Sequence, residues 1–166
     1  MGWNKKQKQA MKELREAEGC KRDFWYEIKT QADIDFLLQS FGGFHDSVLV
    51  RSKYQNGRWD SRGWPTDVRD EEVISLFFRS QRVDPEIELK FIGVKRFHLV
   101  GYQSKYSSEI FDCHLSFFND GILFADHYDF NLKDGYLLKS NEDGAAVTFV
   151  VADSLSWRFT TEHVAP

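Results

Sequence analysis

At 166 residues, with 42% apolar and 16% aromatic content (15 Phe, 6 Tyr and 5 Trp), the chain can bury its own core, which excludes wholesale disorder. A formal charge of −4 argues against nucleic acid as the main partner, because phosphate binding needs a basic face. That charge is uneven: residues 1–30 carry 8 Lys/Arg against 5 Asp/Glu, so this arm is +3 and the remaining chain sums to −7.

With 3 Pro and 11 Gly there is no room for a Pro/Gly linker, and the expectation is one domain over 1–166. Within it, 1–22 reads as a basic helical arm and 30–159 as a helix plus antiparallel sheet. Cys20 and Cys113 have no metal-like spacing and read as reduced thiols. The polar run from Asn4 to Gln9 lacks the apolar stretch of a signal peptide, and no window approaches a membrane span. Cytoplasm is the expected location.

Residues 4–18 read as a helix with Asn4 as N-cap and a thin stripe of Ala10, Met11, Leu14 and Ala17. Lys5, Lys6, Lys8 and Lys12 make that helix basic, either as a solvated face or as an arm for an anionic partner. Phe24-Trp25-Tyr26 reads as a short strand or an aromatic anchor. The clearest helix follows: Thr30 and Asp33 form a capping box, and Ile34, Leu37, Leu38 and Phe41 fall at i, i+3, i+4 and i+7. Gly42 ends it, and Gly43 lets the chain reverse.

From Phe44 the period becomes two, so the sequence predicts a long strand through Tyr54 and a turn at Asn56-Gly57. Residues 58–71 break all periodicity and read as a long loop with Trp59, Trp64 and the acids Asp60, Asp67, Asp70 and Glu71. Strands are predicted over 72–83, 86–91 (Ile87, Leu89 and Phe91 inward), 95–102 and 110–118, with Gly93 as a bulge or turn between the second and third. Asn119-Asp120-Gly121 is a hairpin turn into a strand over 122–127. Residues 129–144 read as a surface excursion, and 145–152 as a final strand that 154–159 extends. The fold class is therefore α+β: N-terminal helices packed on a predominantly antiparallel sheet of about seven strands.

His45-Asp46 is the most suggestive pair, since a carboxylate can orient an imidazole for proton transfer. On a regular strand, however, neighbours point to opposite faces and cannot form a dyad without a bulge. The structural alternative has Gly42, Gly43, His45 and Asp46 as one turn motif, its polar groups tying the helix end to the sheet. Asp112 and His114, two apart on a predicted strand, share a face, but zinc needs three or four ligands and no spacing supplies the rest. Ser47 and Ser154 lack nucleophile-elbow glycines, and phosphate-loop and dinucleotide motifs are absent. No catalytic residue, metal or cofactor is expected.

Three motifs carry a resemblance: Phe44-His45-Asp46-Ser47 after a helix, Glu88 to Val94 inside a central strand, and Leu155-Ser156-Trp157-Arg158-Phe159 near the end. Together they resemble a loosely defined group of small, mostly uncharacterised bacterial proteins with an FHDS start and a terminal LxWRF. Leu89 through Gly101 is also similar to a pattern in immunity proteins of polymorphic toxin systems. The likeness spans about residues 41–159 and brings no catalytic residues. It implies a non-enzymatic protein-binding domain, an immunity protein whose partner is a toxin; the charge and the lack of an apolar run leave no nucleic acid and no membrane expected as partners. The partner surface is expected at Trp59, Trp64, Asp67, Asp70 and Glu71, where an acidic loop offers steering and aromatic anchors. The rival expectation is a small enzyme or metal-binding domain using His45, Asp46 and His114.

Overall fold

Asp33 closes the start of the helix as the capping box requires. Its Oδ2 accepts from the backbone N–H of Thr30 (2.8 Å) and of Lys29 (3.0 Å), while Thr30 Oγ1 accepts from the Asp33 N–H. Donation from the Lys29 backbone, then from the Thr30 side chain and backbone, holds the Asp33 carboxyl below its ordinary range. Helix α1, Gln31–Ser40, then buries Ile34, Leu37 and the following Phe41 against the sheet.

The computed structural model describes residues 20–57, 62, 72–83, 86–101, 109–130 and 147–160. Its strands are β1 (Tyr26–Glu27), β2 (Ser47–Gln55), β3 (Val73–Ser80), β4 (Ile87–His98), β5 (His114–Phe118), β6 (Gly121–Ala125) and β7 (Phe149–Phe159). They form one antiparallel sheet in the order β2-β3-β4-β7-β6-β5. The C-terminal half of β7 pairs with β1 and the N-terminal half with β6, so these two strands share one flank of β7 end to end. Ile110, ahead of β5, pairs with Ser47 at the start of β2, so the first and last strands of the sheet order are tied at one corner.

Two irregularities bend the sheet. Register shifts between Leu49 and Arg51 in β2 and between Val94 and Arg96 in β4, where Gly93 has a positive φ of 68°. The β5–β6 turn uses Asn119 and Asp120, both at positive φ (41° and 60°), matching the twist that a two-residue hairpin needs. Gly121 follows because a Cβ there would run into the carbonyl oxygen of Ala152.

The inner faces of these strands and the buried side of α1 share one hydrophobic cluster. Phe44, Phe78, Phe91, Phe124 and Trp157 are among its fully buried members. A second cluster, Leu123, Ala125, Val147, Phe149 and Val151, lies on the opposite face of β6 and β7, with Phe118 and Phe130 against it. Tyr26 stacks on Trp157 at 4.7 Å, so the Phe24-Trp25-Tyr26 stretch is both a short strand and an anchor.

Several expectations are corrected. One α-helix stands among the described residues rather than several; the helix expected over 4–18 lies outside them. The long strand starts at Ser47, not Phe44, because Phe44 and Asp46 sit at φ 64° and 57° and interrupt the extended backbone. Strand β5 starts at His114, not residue 110, and the segments expected over 86–91 and 95–102 are one strand that ends at His98. Of the loop 58–71 only Arg62 is described, and most of the excursion 129–144 lies outside the described residues. No helix among the described residues is long and apolar enough to cross a membrane.

Candidate functional site

The turn between α1 and β2 places its side chains by unusual backbone angles. Gly42, Gly43, Phe44 and Asp46 all have positive φ, between 57° and 65°, with His45 alone extended. For Phe and Asp that conformation costs about 1–2 kcal/mol each. Burial of Phe44 offsets the cost: its ring is fully buried, edge-on to Phe41 (4.8 Å), Phe78 (5.1 Å) and Phe124 (5.6 Å). Full burial of a Phe contributes roughly 1.5–3 kcal/mol. Ser47, fully buried, donates its hydroxyl to the Phe44 carbonyl and closes the turn from below.

Because Asp46 is left-handed, its side chain swings beside His45 rather than to the opposite face. His45 Nδ1 lies 2.8 Å from Asp46 Oδ1, and Asp46 Oδ2 meets Arg82 Nε, so the carboxylate bridges an imidazole and a guanidinium. The pair that strand alternation forbids is thus present, since neither residue belongs to the strand. A carboxylate can only accept here, so Nδ1 carries the hydrogen and Nε2 is left as the outward nitrogen. The Asp46 backbone is also fixed, its N–H donating to Ile110 O (2.9 Å) and its carbonyl accepting from Gln81 N (3.1 Å). His45 and Arg82 are each nearly half exposed. Beside them stands Phe111, 64% exposed, its ring edge-on to His45 at 6.5 Å, and the Gln81–Glu109 hydrogen bond (2.7 Å) lies next along the chain.

The corner therefore holds an imidazole, a guanidinium and an open aromatic ring on a rigid base. Its side chains can donate, accept and stack. The side chains of His45 and Asp46 turn to each other and to Arg82 rather than to the helix end, and Ser47 carries the tie to the turn backbone. Sequence reading missed Arg82 and Phe111. Neither has a local signal: Arg82 meets Asp46 only through β2–β3 pairing, and Phe111 arrives through the Ile110–Ser47 bridge.

The other candidates sit apart from this arrangement. His114 Nε2 bonds Ser116 Oγ at 2.8 Å, and Asp112 precedes β5, so the same-face expectation for Asp112 and His114 fails for want of a strand at Asp112. His98 Nδ1 is bonded to the Val147 carbonyl (2.9 Å), and His127 stacks on Tyr128 (5.1 Å). Among the described residues no three of His, Cys, Asp and Glu gather as a metal would need. Cys113 is a thiol pushed up to about 12, mainly by burial and then by Asp112, which makes it inert at neutral pH. Asp126 is pushed up to about 6 by burial, against backbone and side-chain hydrogen bonds with Thr148 that favour its ionised form. Trp59, Trp64, Asp67, Asp70 and Glu71 lie outside the described residues. Comparison with family models, with curated proteins and with solved structures gives no match.

Proposed function

We propose that this chain is a non-enzymatic domain that binds another protein, and that the His45–Asp46–Arg82 corner with Phe111 belongs to its contact surface. One observation carries the reading: an exposed aromatic, Phe111, and a half-exposed arginine, Arg82, the residue types that dominate binding hot spots, both flank a turn held rigid at energetic cost, Phe111 against His45 and Arg82 on Asp46. Pre-ordering these side chains lowers the entropy lost on association. The motifs similar to immunity proteins suggest a toxin as the partner, met in the cytoplasm. The acidic stretch with Trp59, Trp64, Asp67, Asp70 and Glu71 is the second part of the proposed interface, suited to a basic partner.

The test is affinity capture from the native host with wild-type chain, with Arg82→Ala/Phe111→Ala, and with a triple neutralisation of Asp67, Asp70 and Glu71. A protein retained by wild type and released at least tenfold faster from the corner variant supports the reading. Equal retention by wild type and both variants rejects it.

The rival, a small acid–base enzyme, is favoured by one observation, the 2.8 Å His45–Asp46 contact that orients Nε2 outward. A turnover that disappears in His45→Gln would establish it. His114 drops out of that reading, being bonded to Ser116.

A further inference from the structure

The outer face of β2, β3, β4 and β7 departs from an ordinary solvated sheet face, because two of its carboxylates are buried. Glu86 and Glu88 are only 5% and 6% exposed. Glu86 takes Arg51 Nη2 on one oxygen (2.9 Å) and Arg79 Nε on the other (3.0 Å). Glu88 takes both Nε and Nη2 of Arg158 on Oε2 (2.9 and 2.8 Å). Arg51 lies flat on Phe77 at 3.8 Å, and Arg158 lies over Trp25 at 4.6 Å with the Lys90 ammonium 5.4 Å from the same ring. Three guanidinium groups are thereby fixed in position, each by a carboxylate that solvent hardly reaches.

The register lays these groups out as a grid. One row runs Arg51, Phe77, Glu88, Arg158 across four strands, and the next runs Lys53, Ser75, Lys90, Ser156. Five cations, Arg51, Lys53, Arg79, Lys90 and Arg158, thus share the face with two carboxylates, on a chain whose formal charge is −4. Arg79 meets Glu86 through Nε alone among the described residues, so its Nη1–Nη2 edge, on a half-exposed side chain, is available as a two-pronged donor. Lys53 is exposed and makes no ion pair among the described residues. Lys53 and Lys90 stand two strands apart, about 10 Å at the usual strand spacing, the reach of about three residues of extended chain.

We propose that this outer sheet face binds an acidic protein segment, with Arg79, Lys53 and Lys90 receiving its carboxylates. The site is separate from the His45 corner and does not depend on it. Charge complementarity selects the occupant. The positive field is local, a few strands wide on an otherwise acidic chain, which suits a short run of Asp and Glu. A nucleic acid, with one charge per ~1.7 Å of duplex, would extend past the face into repulsion.

The experiment follows fluorescence anisotropy of a labelled decaglutamate peptide with the full chain, alongside a labelled single-stranded oligonucleotide. Binding of the peptide is expected at low salt, weakening about tenfold or more in Lys53→Gln/Lys90→Gln and further when Arg79→Gln is added. Lys53 and Lys90 hold no buried carboxylate, so this pair should fold as wild type, checked by its melting curve. A charge-matched control, Lys21→Gln/Lys29→Gln, should stay within about twofold of wild type, as should His45→Ala. The proposal is overturned if the wild type ignores the peptide, if the double variant binds like the control, or if the oligonucleotide binds more tightly than the peptide.

Discussion

The His45 corner and the outer face of β4 both use a carboxylate to hold an arginine, under opposite backbone conditions. At the corner, Asp46 is about a quarter exposed on a left-handed turn, and what keeps it there is the packing of Phe44 behind it. On the outer face, Glu86 is buried just ahead of β4 on backbone without a positive φ, and what keeps it there is the pair of arginines that it serves. One site stores its cost in torsion angles and the other in desolvation. The first should be sensitive to core changes and the second to loss of charge partners.

Phe44→Ala should give the largest effect, because it empties a space lined by Phe41, Phe78 and Phe124 and removes what compensates the turn. A loss of about 3–5 kcal/mol in urea unfolding is expected, the usual range for a buried Phe. Phe44→Gly separates the two contributions. It leaves the same cavity but accepts the positive φ, and it should recover about 1 kcal/mol relative to Ala. Equal stability of the two variants would show that the backbone there carries no strain.

Glu86→Ala attacks the other site. It strands Arg79 and the Arg51 that lies over Phe77, and hydrogen bonds to charged groups contribute about 1.5–3 kcal/mol each before exposure discounts them. Because both arginines can partly turn to solvent, a net loss of about 2 kcal/mol is expected. Retained stability would mean that the arginines gain as much from water as from Glu86.

What could be read in advance divides along the same line. Ile87, Leu89 and Phe91 were legible as inward residues because alternation is local, and so was the Thr30–Asp33 box, whose partners are three residues apart. Alternation also turns Glu88 outward, correctly, yet cannot reveal that it is buried. Its partner Arg158 lies 70 residues on, brought there by β4–β7 pairing. The corner failed differently. A period of two carried through Phe44 and Asp46 assumes extended backbone, and the only local hint of left-handed turns was Gly42-Gly43 just before them.

Asp126 sharpens the comparison as a carboxylate on which no ion pair is formed among the described residues. Its Oδ1 accepts from Thr148 N (3.0 Å), and burial pushes the group up to about 6 from an ordinary 3.8. The folded chain therefore holds this proton more tightly than the unfolded chain. That contribution is fully present below about pH 4, falls as pH rises toward 6 and is flat above it. Asp126→Asn keeps an acceptor oxygen and removes the charge. It should be more stable than wild type by about 1–3 kcal/mol near pH 8 and indistinguishable near pH 4, by thermal or urea unfolding at both. A variant less stable at the higher pH would show that ionised Asp126 is favoured by its hydrogen bonds.

The smallest effect is expected at Asp46, where the sign of a difference matters more than its size. Its ion pairs with His45 and Arg82 are partly exposed, so their loss costs about 0.5–1 kcal/mol. Asp46→Ala loses the pairs and places a Cβ residue at φ 57° without the local hydrogen bonding that helps Asp tolerate it. Asp46→Gly loses the same pairs but releases the strain, so it should exceed the Ala variant by about 0.5–1 kcal/mol and approach wild type. At Glu86, which has no positive φ, the same pair of substitutions should rank the other way, Ala above Gly, since glycine there only adds backbone freedom that folding must remove. An inverted order at the two carboxylates, measured in one set of urea titrations, is the outcome that ties the corner to torsional strain and the sheet face to desolvation. The same order at both would remove the distinction.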